Sequence, residues 1–343
     1  MFSSLKRVAR TSLTSVAAEL GLRRYHLARL LGKESRLRPE LRSLLEEMRS
    51  DNAAAPPPFR ATAHWTEVAR LFDECFYLEG LDDVETAYFN LRFWGFAPGD
   101  QRLHRYLVYA YFQLLRPRDS LGLLEKIPAT CPLGPGFAYE IESCKVSMDL
   151  LTSIDDFYSL LELQPDLVSA PVIVADIGAG WGRLGYVLKH VNPKAAYVVF
   201  DIPEVLLISS HYLPKVLPGI PYKSYRDTRE DGRLDRQTLL AGGMWFLGTP
   251  DLTRVDSLDV VVNIFSFQEM TETQVGQYFE IISRIAQGGS IFLRQLWTGR
   301  THGHHVGEIN GYDRYPFPPT WGRVFLRNAR FSPDFFETAY RVH

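Results

Sequence analysis

The stretch Val172-Ile-Val-Ala-Asp-Ile-Gly-Ala-Gly-Trp-Gly182 decides the fold, because an apolar run passes directly into three alternate glycines. The run has the length and composition of a buried strand, and a helical pattern begins at Arg183. Glycine allows a sharp turn and lets a ligand approach the backbone where a Cβ would otherwise stand. The first N–H groups of the following helix are unpaired donors at the same point. This stretch therefore predicts a strand, a turn and a helix that bind a ligand together.

Short apolar runs separated by helical segments continue from here to the C-terminus, a pattern typical of a parallel sheet covered on both faces. Two later β-like runs are close enough in sequence to pair antiparallel. We therefore expect an α/β fold with a mostly parallel, Rossmann-like sheet and a C-terminal antiparallel hairpin. The predicted parallel strands are 172–176, 197–201, 244–247, 258–263 and 290–294, the predicted helices are 183–190, 204–217 and 271–286, and the predicted hairpin strands are 323–327 and 335–342.

The sequence before this α/β region predicts an α-helical N-terminal domain. Residues 1–50 resemble helices rich in Arg and Leu, and the three prolines within 51–58 predict a linker. Apolar residues then recur at helical spacing, so 59–138 is predicted to be a helical domain on the acceptor side. A further helical stretch, 139–163, is expected to pack on the α/β region, which gives a last domain at 139–343.

The composition is that of a globular protein without a strong overall charge. Of 343 residues, 46% are hydrophobic, and 38 basic residues are balanced by 40 acidic ones. This balance provides no field that would attract nucleic acid or an anionic membrane surface. Three cysteines without a CxxC spacing indicate neither a disulfide framework nor a zinc site, and no run of about 18 apolar residues could span a bilayer. We expect a cytoplasmic protein that acts on a small molecule or a polysaccharide, and we leave open a homodimer.

Two carboxylates select among the ligands that such a glycine turn binds. Gly180-Trp-Gly-Arg-Leu-Gly185 alone matches the GxGxxG pattern of nicotinamide dinucleotide sites. However, Asp176 lies two residues before Gly178, where a carboxylate suits the ammonium group of S-adenosylmethionine. Asp201 ends a second apolar strand, where its carboxylate could accept hydrogen bonds from both ribose hydroxyls. This register favours S-adenosylmethionine over a dinucleotide, and the remaining alternative is a glycine turn that binds nothing.

These residues resemble the class I S-adenosylmethionine-dependent methyltransferases and, within them, a bacterial group of sugar O-methyltransferases. The matching blocks are Asp176-Ile-Gly-Ala-Gly-Trp-Gly-Arg-Leu184, Phe200-Asp-Ile-Pro-Glu204 and Asn263-Ile-Phe-Ser-Phe-Gln-Glu-Met270, and the resemblance extends from about residue 139 to the C-terminus. It implies in-line methyl transfer to a hydroxyl of a sugar or glycosylated compound, with the acceptor held between the two domains. A methyltransferase with a protein or nitrogen acceptor and a non-catalytic S-adenosylmethionine-binding scaffold are the alternatives.

On this resemblance, the glycine turn and the strand ends that follow it bind the cofactor. Many relatives carry Gly-Asp after the third strand, but this chain has Phe246-Leu-Gly-Thr-Pro-Asp251, so Thr249 and Asp251 become the candidates for the adenine contact. The predicted cofactor-binding residues are Asp176, Gly178, Ala179, Gly180, Gly182, Arg183, Asp201, Ile202, Thr249, Asn263 and Phe265.

The segment after the fourth strand is expected to line the reaction centre. A sugar hydroxyl has a pKa far above neutrality, so a general base would assist its attack on the methyl group. Glu269 is the first candidate, and the alternative is that it begins the next helix and interacts with the helix dipole. Ser266 and Gln268 are predicted to contact the acceptor, although Gln268 could instead satisfy buried backbone groups.

The Gly-rich segment between residues 297 and 319 is expected to be an unbroken loop over the acceptor. Its histidines have the pKa expected of a base, and its aromatic rings could stack on a sugar. The alternatives are a solvated polar loop and an aromatic core beneath the hairpin. Metal-dependent sugar methyltransferases bear consecutive carboxylates after the fourth strand and this chain has none there, so the resemblance implies no metal ion. The alternative is a divalent metal bound by His302, His304 and His305 with Glu269 or Asp313. The predicted bases here are His302 and His304, and the predicted acceptor contacts are Trp297, His305 and Tyr312.

Overall fold

The computed structural model describes residues 25–81, 101–129, 138–229, 231–298, 300–301, 304–305, 309, 311–330 and 332–343. The chain divides into two compact units. The helical unit consists of Met1–Ser43 and Trp65–Met148, and the sheet unit consists of Leu44–His64 and Asp149–His343. The division differs from the predicted segments, since residues 44–64 group with the sheet unit.

The helical unit contains helices and one antiparallel hairpin within the part of it that the structure describes. The first of these helices continues from the helical unit into the sheet unit. The elements are α1 (Pro39–Ala54), α2 (Ala63–Glu79), α3 (Gln101–Leu115), α4 (Leu123–Lys126), β1 (Ala138–Ile141) and β2 (Cys144–Ser147).

The hairpin formed by β1 and β2 corrects the helix predicted over 139–163. Glu142 and Ser143 both have a positive φ, at 49° and 69°, and form the two-residue turn between the strands. Lys145 is exposed and Val146 is buried, so side chains here alternate between two faces. The helix itself begins only at Met148 and is therefore shorter than predicted.

Residues 51–58 form structure where a linker is predicted. Helix α1 continues into this segment, and Pro57–Phe59 form a 3-10 turn. Proline fits the first turn of a helix because its missing N–H would have no partner there. Phe59 is buried, its ring centroid lies 5.6 Å from that of Tyr278, and its carbonyl oxygen accepts a 2.8 Å hydrogen bond from the Thr249 hydroxyl. The Pro-rich segment is therefore packed into the core of the sheet unit.

The sheet unit is built on one eight-stranded sheet, accompanied by a short two-stranded ladder. The strands in chain order are β3 (Ile173–Ile177), β4 (Ala196–Asp201), β5 (Tyr222–Lys223), β6 (Met244–Gly248), β7 (Val260–Ile264), β8 (Ser290–Leu296), β9 (Arg300–Thr301), β10 (His304–His305), β11 (Gly322–Ala329) and β12 (Ser332–Arg341). The order in the large sheet is β11-β12-β8-β7-β3-β4-β6-β5. Strands β3 to β8 are parallel to their neighbours among themselves, and β12 is antiparallel to both β8 and β11. The predicted fold class is confirmed, including the C-terminal hairpin.

All residues of β3 and β4 are buried. Strands that are buried on both faces are expected to be covered by helices, and helices alternate with the parallel strands along the chain. Helix–strand packing is close: a Cβ on Gly185 would lie 2.2 Å from the ring of Tyr197 on β4. Among the described residues, no helix combines the length and the apolar composition needed to cross a bilayer. The helices are α5 (Met148–Leu163), α6 (Arg183–Val191), α7 (Pro203–Val216), α8 (Tyr225–Thr228), α9 (Arg236–Gly242) and α10 (Glu272–Ile285).

A buried ion cluster joins α5 to β8 and β12. Arg294 is 3% exposed and its guanidinium lies 3.0 Å from a carboxylate oxygen of Asp155 and 2.8 Å from one of Asp156. Glu337 pairs with the same guanidinium. Burial by itself lowers the pKa of Arg294, but the three carboxylates raise it above its ordinary value, so the guanidinium stays charged.

The strand order reverses at β3, since β4 lies on one side of it and β7 on the other. In open α/β sheets, ligands bind outside the carboxyl ends of the strands at such a point. The carboxyl ends of β3, β4 and β7 carry Asp176, Asp201 and Asn263, which are among the predicted cofactor-binding residues. The fold therefore brings the predicted residues to one edge of the sheet.

Candidate functional site

The glycine turn has the backbone geometry that its sequence predicts. Gly178, Gly180 and Gly182 have φ values of +72°, +62° and +86°, which glycine adopts readily. Gly178 donates its N–H to the Phe200 carbonyl oxygen at 2.8 Å, which ties the turn to β4. No described atom lies within 4 Å of the place where a Cβ on Gly180 would stand. The turn is therefore fixed at its ends and has room beside its middle glycine for a ligand.

We expect Gly178→Ala to destabilise the protein by about 2–3 kcal/mol and Gly180→Ala by only about 1 kcal/mol. Alanine at a positive φ costs about 1–2 kcal/mol at either position. At Gly178 the new Cβ would also lie 2.1 Å from Ser266 Oγ and 2.4 Å from Ser266 Cβ, which cannot move without the backbone. Urea unfolding of the two variants measures the difference. Equal losses would contradict the close contact between Gly178 and Ser266.

Two buried carboxylates stand at the ends of β3 and β4. Asp176 accepts a 2.6 Å hydrogen bond from the Tyr197 hydroxyl. Asp201 accepts hydrogen bonds from the N–H of Gly180 at 3.0 Å and from the N–H of Ile202 at 2.8 Å. Burial raises the pKa of Asp176 to about 7 and that of Asp201 to about 8. A ligand that donates hydrogen bonds to these groups would favour their ionised forms.

Asn263 shapes the turn after β7 and has no side-chain group left for a ligand. It is fully buried, and its amide nitrogen donates to the Ile177 carbonyl oxygen at 2.6 Å and to Ser266 Oγ at 2.9 Å. Its amide oxygen accepts from the N–H of Phe267 at 2.8 Å and from Gln295 Nε2 at 2.6 Å. An amide has two donor and two acceptor positions, and all four are used. The side chain therefore has a structural role within the protein, and the contact of Asn263 with the cofactor stays a prediction.

Phe265 and Arg183 meet beside the glycine turn. Phe265 has a φ of +66°, which is costly for a residue with a side chain and persists only where the surroundings impose it. The Arg183 guanidinium lies 5.8 Å from the centre of the Phe265 ring. Arg183 also pairs with Asp156 at 3.0 Å and donates to Thr152 Oγ1 at 2.8 Å, so α5 holds it in place. Both residues lie near the sheet edge where the cofactor is expected, and both stay predicted cofactor contacts.

Glu269 lies before α10 rather than in its first turn. The helix is capped by Thr271 and begins at Glu272, so Glu269 is not needed to complement its dipole. Glu269 belongs to a separate 3-10 turn and is half-buried. Its charge adds to the effect of burial in raising the pKa of Asp201 and of Tyr315, which places all three groups within electrostatic reach. The role of Glu269 as a group of the reaction centre stays a prediction.

Gln268 satisfies buried backbone groups, the second of its two predicted roles. It is 4% exposed, and its amide oxygen accepts a 2.9 Å hydrogen bond from the N–H of Leu296. Its own N–H donates to Gln295 Oε1 at 3.1 Å. Ser266 is half-buried, accepts the hydrogen bond from Asn263 and stays a predicted acceptor contact.

Trp297 and Tyr312 pack in an aromatic cluster against the hairpin. Their ring centroids lie 5.2 Å and 5.1 Å from that of Phe336 on β12. The Trp297 indole N–H donates to Asn328 Oδ1 at 2.8 Å, and the Tyr312 and Tyr340 hydroxyls share a hydrogen bond of 2.6 Å. The aromatic core beneath the hairpin, one of the two alternatives, therefore accounts for these contacts.

The histidine segment contains backbone structure where an unbroken loop is predicted. His304 pairs with Thr301 and His305 with Arg300 in the ladder of β9 and β10. His302 lies outside the described residues. The roles of all three histidines stay predictions.

The Tyr315 hydroxyl is a candidate group that the sequence did not single out. The residue is 5% exposed, and its hydroxyl has no hydrogen-bond partner within the described part of the chain. A buried hydroxyl without a partner is costly and is found where a ligand or water supplies the missing bond. Its only sequence signal was membership of the aromatic-rich segment after β8.

A cavity of about 240 Å³ opens beside Asp201. Asp251 borders the cavity and accepts a hydrogen bond from the N–H of Gly248 at 3.0 Å. Thr249 does not line the cavity, and its hydroxyl donates to the Phe59 carbonyl oxygen. Helix α1 contributes a wall that the sequence does not predict, since residues 1–50 are predicted as a separate helical segment and 51–58 as a linker. The residues of α1 that line the cavity are Met48, Asp51 and Asn52.

Comparisons with known proteins give distant structural likeness only. No family model matches the sequence, and the search of curated proteins found no match. The PH0226 protein from Pyrococcus horikoshii OT3 has 10% identity and a TM-score of 0.40, covering 56% of this chain and 89% of its own.

Two further solved structures are similar at the same level. Magnesium protoporphyrin IX methyltransferase from Synechocystis PCC 6803 with bound SAM has 14% identity and a TM-score of 0.37, over 56% of this chain and 82% of its own. The pyocyanin biosynthetic protein PhzM has 12% identity and a TM-score of 0.36, over 80% of this chain and 72% of its own.

Proposed function

We propose that this chain binds S-adenosylmethionine and transfers its methyl group to a hydroxyl of a sugar or glycosylated compound. The choice of cofactor is supported mainly by the position of Asp201, which accepts a hydrogen bond from the N–H of Gly180 in the glycine turn and borders the cavity. A carboxylate at this point suits the two hydroxyls of an adenosine ribose. The sugar acceptor is supported by the sequence resemblance over residues 263–270 alone.

The described residues fit this cofactor. Open space beside Gly180 leaves room for a ligand at the turn, and a Cβ there would narrow it. Asp201 would hold the ribose, and the cavity next to it would take the base. Asp176, 3% exposed at the end of β3, would provide a negative charge for the ammonium group.

The bound cofactor would supply an electrophilic methyl group on a sulfonium. Glu269 would accept the proton of the acceptor hydroxyl, as a general base placed after β7 can. The Tyr315 hydroxyl, which lacks a partner among the described residues, would hydrogen-bond and orient the acceptor. The rest of the catalytic effect would come from alignment of the acceptor oxygen with the methyl group.

Calorimetry tests the cofactor directly. We expect S-adenosylmethionine and its demethylated product, S-adenosylhomocysteine, to bind and a nicotinamide dinucleotide not to bind. The proposal would be overturned if neither sulfur compound bound, or if the dinucleotide bound more tightly than they do. A screen of sugar nucleotides, glycosides and peptides with methyl-labelled S-adenosylmethionine then distinguishes a hydroxyl acceptor from a protein or nitrogen acceptor. Cofactor binding without transfer to any class would indicate a non-catalytic scaffold.

We expect Glu269→Gln to lower turnover about 100-fold while cofactor affinity changes less than about twofold. Glutamine keeps the size of the side chain but cannot accept the proton, and general bases contribute factors of this order. Turnover is measured with the acceptor that the screen identifies, and affinity by calorimetry. The matched control is Glu272→Gln, because Glu272 lies in the first turn of α10 and pairs with Arg314 on the surface. Unchanged turnover in Glu269→Gln would remove its assignment as the base.

A further inference from the structure

We propose that Asn52, on the N-terminal helix α1, recognises the amino group of the adenine base. This inference rests on the proposed function, since it assumes that the cavity beside Asp201 receives the adenosine of the cofactor. It extends the binding site to a helix that lies about 120 residues before the glycine turn in sequence.

The cavity has the walls that an adenine ring requires. Asp201 lies at its border and would hold the ribose, so the attached base would enter the same space. Met48, Leu206 and Pro250 provide apolar surface around it. A flat aromatic base is stabilised by such contacts on its faces, and its identity is recognised by hydrogen bonds at its edge.

Hydrogen bonding within the protein leaves the acceptor half of the Asn52 amide available. Its nitrogen donates to the Phe59 carbonyl oxygen at 3.0 Å, which fixes the orientation of the amide because a carbonyl can only accept. Its oxygen has no hydrogen-bond partner within the described part of the chain, and the side chain lines the cavity. The amino group of adenine is a donor and would complete this pairing.

The other polar groups on the same walls are engaged by neighbours. Asp51 accepts a 2.6 Å hydrogen bond from the Tyr225 hydroxyl and pairs with Arg229 at 3.2 Å. Asp251 accepts the N–H of Gly248 and pairs with Arg254 at 2.9 Å. Both carboxylates are thus held in ion pairs with arginines, whereas the Asn52 oxygen is a neutral acceptor on α1 that can face the edge of a base.

Charged contacts hold α1 in the position that this role needs. Glu47 pairs with Arg226 at 2.5 Å, and Arg49 pairs with Glu204 at 2.7 Å. All four residues belong to the sheet unit. Helix α1 is thus a fixed wall of the cavity, and a residue on it can discriminate between bases.

The test compares S-adenosylhomocysteine with S-inosylhomocysteine, in which hypoxanthine replaces adenine and a carbonyl replaces the amino group. We expect the wild-type protein to prefer the adenine compound by about tenfold or more in calorimetry, because the carbonyl would face the Asn52 oxygen. In Asn52→Ala the preference should fall to about twofold or less. In the control Glu46→Gln, at an exposed position of α1 outside the cavity, the preference should be retained.

Three outcomes separate the inference from the proposed function. Failure of S-adenosylhomocysteine to bind the wild-type protein would overturn the proposed function itself. Binding with no preference between the two compounds, or with a preference that Asn52→Ala leaves intact, would overturn only the role of Asn52. Should Asn52→Ala fail to fold, Asn52→Ser carries the same expectation, because its shorter side chain withdraws the acceptor from the base.

Discussion

Replacement of Asp201 by Asn is expected to weaken binding of S-adenosylhomocysteine by about 10³-fold. The carboxylate accepts two backbone N–H groups and would still have lone pairs for two ribose hydroxyls. Hydrogen bonds to a charged group contribute about 1.5–3 kcal/mol each, so two of them correspond to about 4 kcal/mol. Asparagine has one oxygen in place of two and no charge, and its nitrogen would face an N–H group or the ribose. Calorimetry measures the loss.

The matched control for this prediction is Asp256→Asn. Asp256 is paired with Arg233 at the surface of the same unit, and its loss should leave cofactor affinity unchanged. Circular dichroism of Asp201→Asn should show a folded protein, so that the loss of affinity cannot come from unfolding. A loss of less than about tenfold would mean that Asp201 does not hold the ribose.

The affinity of the wild-type protein for S-adenosylhomocysteine should also rise with pH between about 6 and 8. Burial raises the pKa of Asp201 to about 8 in the free protein, and ribose donors favour the ionised form, which lowers that pKa in the complex. Binding below pH 8 therefore releases a proton, so affinity falls as the pH falls, by at most tenfold per unit. Titrations at several pH values measure this slope, and Asp201→Asn should abolish the part that Asp201 contributes. An affinity independent of pH would contradict the assignment.

Replacement of Arg294 by Met is expected to cost about 3–5 kcal/mol of unfolding free energy. The guanidinium is almost fully buried and pairs with three carboxylates, of Asp155, Asp156 and Glu337. Methionine fills a similar volume but leaves these charges with less compensation, and breaking a buried ion pair on one side has a cost of this size. Urea denaturation, followed by circular dichroism, measures the change.

Two controls identify the cause of the loss in Arg294→Met. Arg233→Met removes an exposed ion pair and should change stability by less than about 1 kcal/mol. Arg294 lowers the pKa values of Asp156 and Glu337, so without it those two pKa values rise in the folded state. The folded variant then binds more protons than the unfolded chain, so the deficit relative to wild type should shrink as pH falls from 8 to 5. A deficit that does not change with pH would indicate lost packing instead.

The elements that the sequence predicted correctly are those with a strong local signal. The strand before Gly178, the helix from Arg183 and the hairpin at the C-terminus each follow from periodicity and glycine position within about ten residues. The β1–β2 hairpin was missed because its turn contains Glu142 and Ser143, two non-glycine residues with positive φ that no turn pattern marks.

The candidate site likewise contains features that a local sequence pattern predicts and features that only the structure shows. The register of Asp176 against Gly178, and the strand that ends at Asp201, are local features, and the structure places both carboxylates at one edge of the sheet. Asn263 and Gln268 lie in the predicted segment, but only their partners show that each serves the protein backbone. Residue type alone could not separate a ligand-binding amide from one that is saturated inside the protein.

By itself, then, the sequence determined the α/β sheet, the glycine turn and the two carboxylates beside it, because each depends on neighbours within one strand–turn–helix segment. Only the tertiary structure decided that α1 forms a wall of the cavity and that Arg294 joins three carboxylates. Asn52 and Thr249 are 197 residues apart in sequence, and Arg294 and Asp155 are 139 apart. Contacts of this kind arise from the packing of whole elements, to which no local pattern of residues corresponds.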